Sequence, residues 1–176
     1  MCYVNRESGF TVKENDMRQG WLLLVLFAIS LTGLAQPASE QERNKAVARS
    51  FFEEVLGQGQ FDKYAEFHAK DFVAHAKGHD AALEEDMAAA REERKALPDM
   101  TVRVNQMVAE GDLVAVRWTV TGTNTQAGMG LPATGKKITT EGMTLFRFKG
   151  GKITEEWSAW DMLSVMQQAG LLPSKQ

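Results

Sequence analysis

Hydrophobic and polar residues alternate with a period of two over most of the chain after Pro98, which predicts β-strands. Four strands are predicted, at Thr101–Ala109, Leu113–Thr123, Lys137–Phe148 and Lys152–Asp161. In the second of these, one face carries Val114, Val116, Trp118 and Val120. Because no helical pattern separates the four segments, we expect them to form an antiparallel, curved sheet.

Before Pro98 the apolar residues recur at helical spacing instead. The pattern predicts three helices, at Glu40–Leu56, Phe61–His68 and Ala81–Leu97, with Asp80 as the N-cap of the third. A short strand at Asp71–His75 precedes the third helix, and a closing helix is predicted at Met162–Ala169. This order of elements predicts an α+β fold whose helices pack over the concave side of the sheet and leave a pocket there.

The last predicted strand has an unusual composition for plain core, since it carries carboxylates and two tryptophans and ends in an Asp. A strict period of two places Trp157 and Asp161 on one face and Glu156, Ser158 and Trp160 on the other. A face with an aromatic ring and a carboxyl group is typical of a pocket wall. We therefore expect Trp157 to line the cavity beside Asp161.

Composition and charge narrow the class of protein. The chain has 176 residues, of which 44% are hydrophobic and 24% charged, as in an ordinary globular domain. Its net charge is −3 and it has no cluster of Lys and Arg, which excludes nucleic acid as the expected partner.

The first 35 residues have a pattern of their own. Arg18 is followed by the uncharged run Trp21–Leu34 and by small residues before Gln36, which predicts a signal peptide over residues 17–35 and export to the periplasm or the medium. The run has 14 residues, whereas a helix that spans a membrane needs roughly 20, which favours a cleaved signal peptide. An uncleaved anchor is the alternative. Residues 1–16 are predicted to be an extension from an early start codon, 36–43 a linker, 44–172 the domain and 173–176 a tail. The one cysteine, Cys2, precedes the signal, so no disulfide is expected.

Several short motifs, taken in order, resemble one family. They are Ala48–Val55 with Gly59, Asp71–His75, Val108–Asp112, Val116–Trp118, Pro132–Lys136, Phe146–Ile153, and Glu156-Trp157 with Asp161. Together they resemble the SnoaL-like polyketide cyclases, a branch of the NTF2-like superfamily, over roughly Asn44–Leu172. The resemblance implies an NTF2-like cone, a curved and mostly antiparallel sheet with three N-terminal helices over a pocket and a short C-terminal helix.

The resemblance also implies an acid/base mechanism without a cofactor, in which a carboxyl group in an apolar pocket moves protons on a carbonyl substrate. Asp161 falls on the matching position, although Asp is equally a preferred N-cap for the helix that follows. The family's cyclases place a His nearby in the C-terminal sheet, whereas this chain has none after His79 and carries Arg147 in the adjacent strand.

The histidines offer two hypotheses. His75 ends a short strand where the family has pocket residues, so it either assists Asp161 or bonds to backbone at a strand end. His68, His75 and His79, together with Asp71 and Asp80, invite a metal site. Their spacing over a helix, a strand and a turn places them on no common face, so no metal is expected.

Other side chains are candidates for the substrate-binding wall. The aromatic candidates are Trp157, Trp118, Phe51, Tyr64 and Phe72, for which core packing is the alternative. Glu141 and Arg147 share a strand face and either form an ion pair across the cavity or lie on the outer face of the sheet at a dimer contact.

Three functions remain open on the sequence. The first is a cyclase, isomerase or epoxide hydrolase that uses Asp161 as acid/base and His75 as helper on a hydrophobic carbonyl substrate. The second is an exported module that binds a hydrophobic small molecule without converting it. The third is an interaction domain that forms a homodimer through the outer face of its sheet.

Overall fold

Six strands form a single curved sheet in the computed structural model, which describes residues 38–76, 78–128 and 130–173. They are β1 (His68–Ala76), β2 (His79–Ala82), β3 (Thr101–Glu110), β4 (Leu113–Thr123), β5 (Lys137–Lys149) and β6 (Lys152–Trp160). The spatial order is β2-β1-β6-β5-β4-β3, and every neighbouring pair is antiparallel except β1 and β6, which are parallel. The predicted α+β fold with a curved, mostly antiparallel sheet is confirmed.

The helices precede the long strands, with one exception at the end. They are α1 (Glu40–Ser50), α2 (Tyr64–Phe67), α3 (Leu83–Ala96) and α4 (Met162–Gln168). A π-helical turn, Phe51–Leu56, continues α1, and a 3-10 turn, Phe61–Lys63, leads into α2. Ser39 caps α1, because its side chain accepts a hydrogen bond from the Glu42 amide.

The core lies between the helices and the inner face of the sheet. On β4 buried residues alternate with half-buried ones, so Val114, Val116, Trp118 and Val120 point inward as the period of two predicts. Phe51 and Phe52 in the π-helical turn pack their rings against Phe146 of β5, with centroids 5.9 and 5.8 Å away. The extra residue of a π-helical turn changes the helical phase, which keeps both adjacent phenylalanines turned inward.

Two predicted boundaries are wrong, for physical reasons. The third helix begins at Leu83, because His79–Ala82 pair with β1 as a short strand; Asp80 lies in that strand and is not an N-cap. The second helix ends at Phe67 and not at His68, because His68 already has extended backbone and begins β1.

The segments predicted before residue 38 lie outside the described residues, as do Lys77, Met129 and residues 174–176. This covers the extension, the signal peptide and the start of the linker. None of the helices within the described ranges combines the length and the hydropathy that a membrane span requires.

Asp161 is the N-cap of α4. Its carboxylate accepts a hydrogen bond of 2.9 Å from the Ser164 amide, and the residue is exposed. We expect Asp161→Ala to lower the free energy of unfolding by about 1 kcal/mol, and Asp161→Asn to change it little, because Asn caps helices as well as Asp. Urea unfolding of both variants measures this, and an equal loss in the two would contradict the capping role.

Candidate functional site

A cavity of about 380 Å³ lies between the helices and the inner face of the sheet. Most of its wall is apolar, from the π-helical turn, α3 and the strands β3 to β6. The apolar lining includes Phe51, Phe52, Leu97, Met100, Trp118 and Trp160. Such a volume and lining suit a small hydrophobic molecule.

The strand β6 supplies polar groups to this cavity from the face opposite to the one predicted. Glu156, Ser158 and Trp160 line it, whereas Trp157 does not. The cause is a β-bulge: Phe148 pairs with Ile153 and Arg147 with Glu155, so Thr154 is an extra residue. After one extra residue the side chains change faces, so the prediction that Trp157 lines the cavity is wrong.

Four side chains form a directed hydrogen-bond chain that ends on Glu156. Trp118 Nε1 lies 3.0 Å from Thr144 Oγ1, Thr144 Oγ1 lies 2.7 Å from Ser158 Oγ, and Ser158 Oγ lies 2.6 Å from Glu156 Oε1. Ser158 has one hydroxyl hydrogen, which it donates to Glu156, so Thr144 donates to Ser158 and itself accepts from the Trp118 indole N–H. The chain therefore holds one carboxyl oxygen of Glu156 in place.

A second carboxyl group, from Asp86 on α3, also lines the cavity. Tyr64 donates a hydrogen bond of 2.5 Å to Asp86 Oδ2, and burial raises the pKa of Tyr64, so the phenol keeps its proton. Burial likewise raises the pKa of Asp86. Burial is the main cause that raises the pKa of Glu156 to about 8, and the nearby Asp86 carboxyl group raises it further. The hydrogen bond from the Ser158 hydroxyl acts in the opposite direction.

His68 lies behind these two carboxyl groups and is 4% exposed. Its Nδ1 lies 2.8 Å from the Tyr64 carbonyl oxygen, which can only accept, so Nδ1 carries the hydrogen and Nε2 of the neutral ring has a free lone pair. Among the described residues Nε2 has no hydrogen-bond partner. Burial lowers the pKa of His68 to about 4, so the ring is neutral near pH 7. One ligand-type atom each from His68, Asp86 and Glu156 lies within 4.8 Å of the others.

His75, the predicted helper of Asp161, has other partners. Its Nδ1 lies 2.8 Å from Asp80 Oδ1 and its Nε2 lies 3.1 Å from Glu155 Oε2, while its ring stacks on Trp157 at 4.7 Å. Arg147 continues this network, since its Nη1 donates to Glu155 Oε1 at 2.6 Å. His75 reaches the edge of the cavity lining, but both of its ring nitrogens are engaged by these carboxylates.

The hydrogen bonds to Asp80 and Glu155 raise the pKa of His75 above its usual value of about 6.5. A pKa that folding raises gives stability that is fully present below the unfolded value and is lost as the pH rises through the folded one. We therefore expect the melting temperature to fall between pH 6 and pH 8.5 by more in the wild type than in His75→Gln. Thermal melts at both pH values measure this, and equal falls would contradict it.

The remaining predicted site residues lie in three places: the cavity wall, the core and the outer face of the sheet. The structure places Trp118, Phe51 and Tyr64 in the cavity wall, and Phe72 in the core against His68, with ring centroids 4.5 Å apart. Glu141 pairs with Arg117 at 2.9 Å on the exposed face of the sheet. Arg147 pairs with Glu155 and Asp112. Of the two alternatives for Glu141 and Arg147 the structure therefore has the outer face of the sheet, and the prediction that they belong to the cavity wall is wrong.

Sequence reasoning missed Asp86 and Glu156, and it considered His68 only within a different set. His75 bonds to Asp80 and Glu155, and His79 bonds to Glu85. Of the three histidines only His68 lies beside the half-buried acids Asp86 and Glu156. Glu156 was visible as an acidic residue directly before the first of two tryptophans on a strand, but the bulge that turns it inward leaves no mark in the pattern. Asp86 lies near Glu156 only because α3 packs over the sheet, and such a contact between distant segments does not show in the local sequence pattern.

Comparison with known proteins agrees with this architecture. The family model of the SnoaL-like polyketide cyclases matches residues 46–169. Among curated proteins, none matches the chain. The chain is similar in structure to AclR from Streptomyces galilaeus, with a TM-score of 0.71 and 24% identity over 78% of this chain and 91% of that one. A protein from Jannaschia that is described as a SnoaL-like polyketide cyclase has a TM-score of 0.70 and 23% identity, over 78% of this chain and 98% of that one. IdmH from Streptomyces antibioticus, a candidate polyketide cyclase, has a TM-score of 0.65 and 26% identity, over 72% of this chain and 98% of that one.

Proposed function

Because this chain belongs to the SnoaL-like polyketide cyclase family, we propose that it binds a hydrophobic carbonyl compound in its cavity and catalyses proton transfer on it. The reaction is a cyclisation or an isomerisation. Both need a proton removed from a carbon beside the carbonyl group and a proton delivered to the oxygen on which charge develops.

The observation that carries this proposal is the pair of carboxyl groups, Asp86 and Glu156, on the wall of a mostly apolar cavity, in which burial raises the pKa of both. The hydrogen-bond chain from Trp118 holds one oxygen of Glu156, so the other is available to a bound molecule. Tyr64 holds Asp86 in the same way. Acid and base groups that hydrogen bonds already hold in place act without first reorganising solvent.

Glu156 is therefore our choice for the general acid/base in place of Asp161. Asp161 is exposed, does not line the cavity and already accepts a hydrogen bond as the N-cap of α4. The catalytic role that the sequence predicts for Asp161, with His75 as helper, stays a prediction, and the same experiments test it.

The experiment is a thermal-shift screen of cyclic ketones and aromatic polyketides, followed by NMR in deuterated water. A compound that stabilises the protein and takes up deuterium beside its carbonyl group supports proton transfer. Stabilisation with no exchange and no product, for every compound that binds, would overturn the enzymatic function and favour the binding module. Localisation outside the cytoplasm and a homodimer remain proposals from the sequence, and fractionation and light scattering test them.

A further inference from the structure

We infer that His68, Asp86 and Glu156 form a binding site for a first-row divalent transition-metal cation such as Zn²⁺, at the wall of the cavity. This inference goes beyond the proposed proton transfer and does not depend on it. It has two bases: one ligand-type atom each from His68, Asp86 and Glu156 lies within 4.8 Å of the others, and His68 Nε2 has no hydrogen-bond partner among the described residues.

The unpartnered atom is His68 Nε2. His68 is almost fully buried, and its Nε2 carries a lone pair because Nδ1 donates to the Tyr64 carbonyl. A buried acceptor without a donor is costly, and within the described residues no donor meets this one. A metal cation would occupy this lone pair.

Aromatic rings fix the direction of this lone pair. Tyr64 stacks on the imidazole with centroids 4.8 Å apart, and Phe51 and Phe72 meet it edge-on at 4.9 and 4.5 Å. The ring is therefore held by packing, as the ligands of preorganised metal sites are.

The two carboxyl groups are held as well. Tyr64 donates to one oxygen of Asp86, and Ser158 donates to one oxygen of Glu156, which leaves the second oxygen of each for a cation. Hydrogen bonds of this kind, one step removed from the metal, orient the ligands in protein metal sites.

The distances require a small adjustment. The three atoms lie within 4.8 Å of one another, whereas tetrahedral ligands at about 2.0–2.2 Å from Zn²⁺ lie roughly 3.3–3.6 Å apart. Rotations of the side chains that move each ligand atom by about 1 Å would close the site.

The chemistry of the ligands selects the class of cation. One imidazole nitrogen with two carboxylates suits Zn²⁺ or Fe²⁺, whereas Mg²⁺ and Ca²⁺ prefer oxygen ligands alone. A dication also offsets the repulsion between two ionised carboxylates. Three protein ligands leave at least one coordination position open, as in catalytic zinc sites, and the cavity offers it to the oxygen of a bound molecule.

The experiment is a titration of the full-length chain with Co²⁺, followed by visible absorption and then by competition with Zn²⁺. A Cys2→Ser background removes the one thiol, which would otherwise bind the metal. We expect one Co²⁺ per chain with d–d bands of four- or five-fold coordination, displaced by one equivalent of Zn²⁺.

His68→Ala should weaken this binding by at least about 10-fold, since loss of an outer partner alone costs 10–100-fold. The matched control is the double variant His75→Ala/His79→Ala, which removes the two other histidines and should leave binding unchanged. Asp86→Asn, which keeps the side-chain volume, provides a second ligand variant if His68→Ala does not fold by circular dichroism. No Co²⁺ binding at millimolar concentration would overturn the inference, and so would binding that only the double variant abolishes.

The outcome is separable from that of the proposed function. Co²⁺ absorption is read without any organic ligand, whereas deuterium exchange is read on the metal-free protein in the presence of a chelator. Either result can fail while the other holds.

Discussion

Replacement of Glu156 by Gln is expected to lower kcat/KM for the carbonyl compound that the wild type turns over by roughly 10²–10⁴-fold, the usual contribution of one general acid/base. Gln has nearly the same shape and still accepts a hydrogen bond from Ser158, so the hydrogen-bond chain from Trp118 survives. Binding of the compound should therefore change little, and the loss should fall on kcat. Initial rates by NMR or mass spectrometry, with binding followed by calorimetry, measure both effects.

Asp161→Asn is the matched control for this variant. It makes the same chemical change, carboxylate to amide, on an exposed residue at the end of the same strand, and it preserves the cap of α4. We expect activity close to that of the wild type. Full activity in Glu156→Gln together with loss in Asp161→Asn would show that the family-derived assignment is right and ours is wrong.

Gly142→Ala is expected to destabilise the protein and to disturb the cavity. A Cβ atom at Gly142 would overlap Trp118 Cζ2 and would lie 2.7 Å from the Ala159 carbonyl oxygen, both far inside contact distance. Overpacking of this kind costs typically about 1–3 kcal/mol, and it would push the Trp118 indole away from Thr144. Urea unfolding measures the loss of stability.

A double-mutant cycle shows whether Trp118 is the cause. Phe at position 118 lacks the indole atoms that the new Cβ would meet, so Gly142→Ala should cost less in a Trp118→Phe background than in the wild type. Equal costs in the two backgrounds would attribute the destabilisation to the Ala159 carbonyl and contradict the role given to Trp118.

The fold could be predicted from the sequence because its signals are local. The alternation of residues in Leu113–Thr123 predicted the strand β4 with the observed bounds, and Val114 and Val116 face the core as expected. The antiparallel pairs β3–β4 and β5–β6 then follow from two-residue turns. The order of the sheet, with β1 beside β6, is a long-range pairing that the local pattern does not specify.

The site was less predictable, because it depends on one irregular residue and on contacts between distant segments. The extra residue Thr154 reverses the faces of β6, so Glu156 lies inside and Trp157 outside. Tyr64 and Asp86 are 22 positions apart and form their hydrogen bond only because α3 packs over the cavity. Trp118 was expected in the wall and is found there, because it lies on a strand with regular alternation.

In the proposed function the inner face of β6, and not its outer face, meets the ligand. The indole N–H resonances test this most directly, because Trp118 and Trp160 line the cavity and Trp157 does not. The fourth tryptophan of the chain, Trp21, lies outside the described residues. A ¹⁵N-labelled sample is titrated with the ketone that gives the largest thermal shift, and each resonance is assigned by a Trp→Phe variant. We expect the indole N–H resonances of Trp118 and Trp160 to shift and that of Trp157 to stay in place. Shifts confined to Trp157 would contradict it.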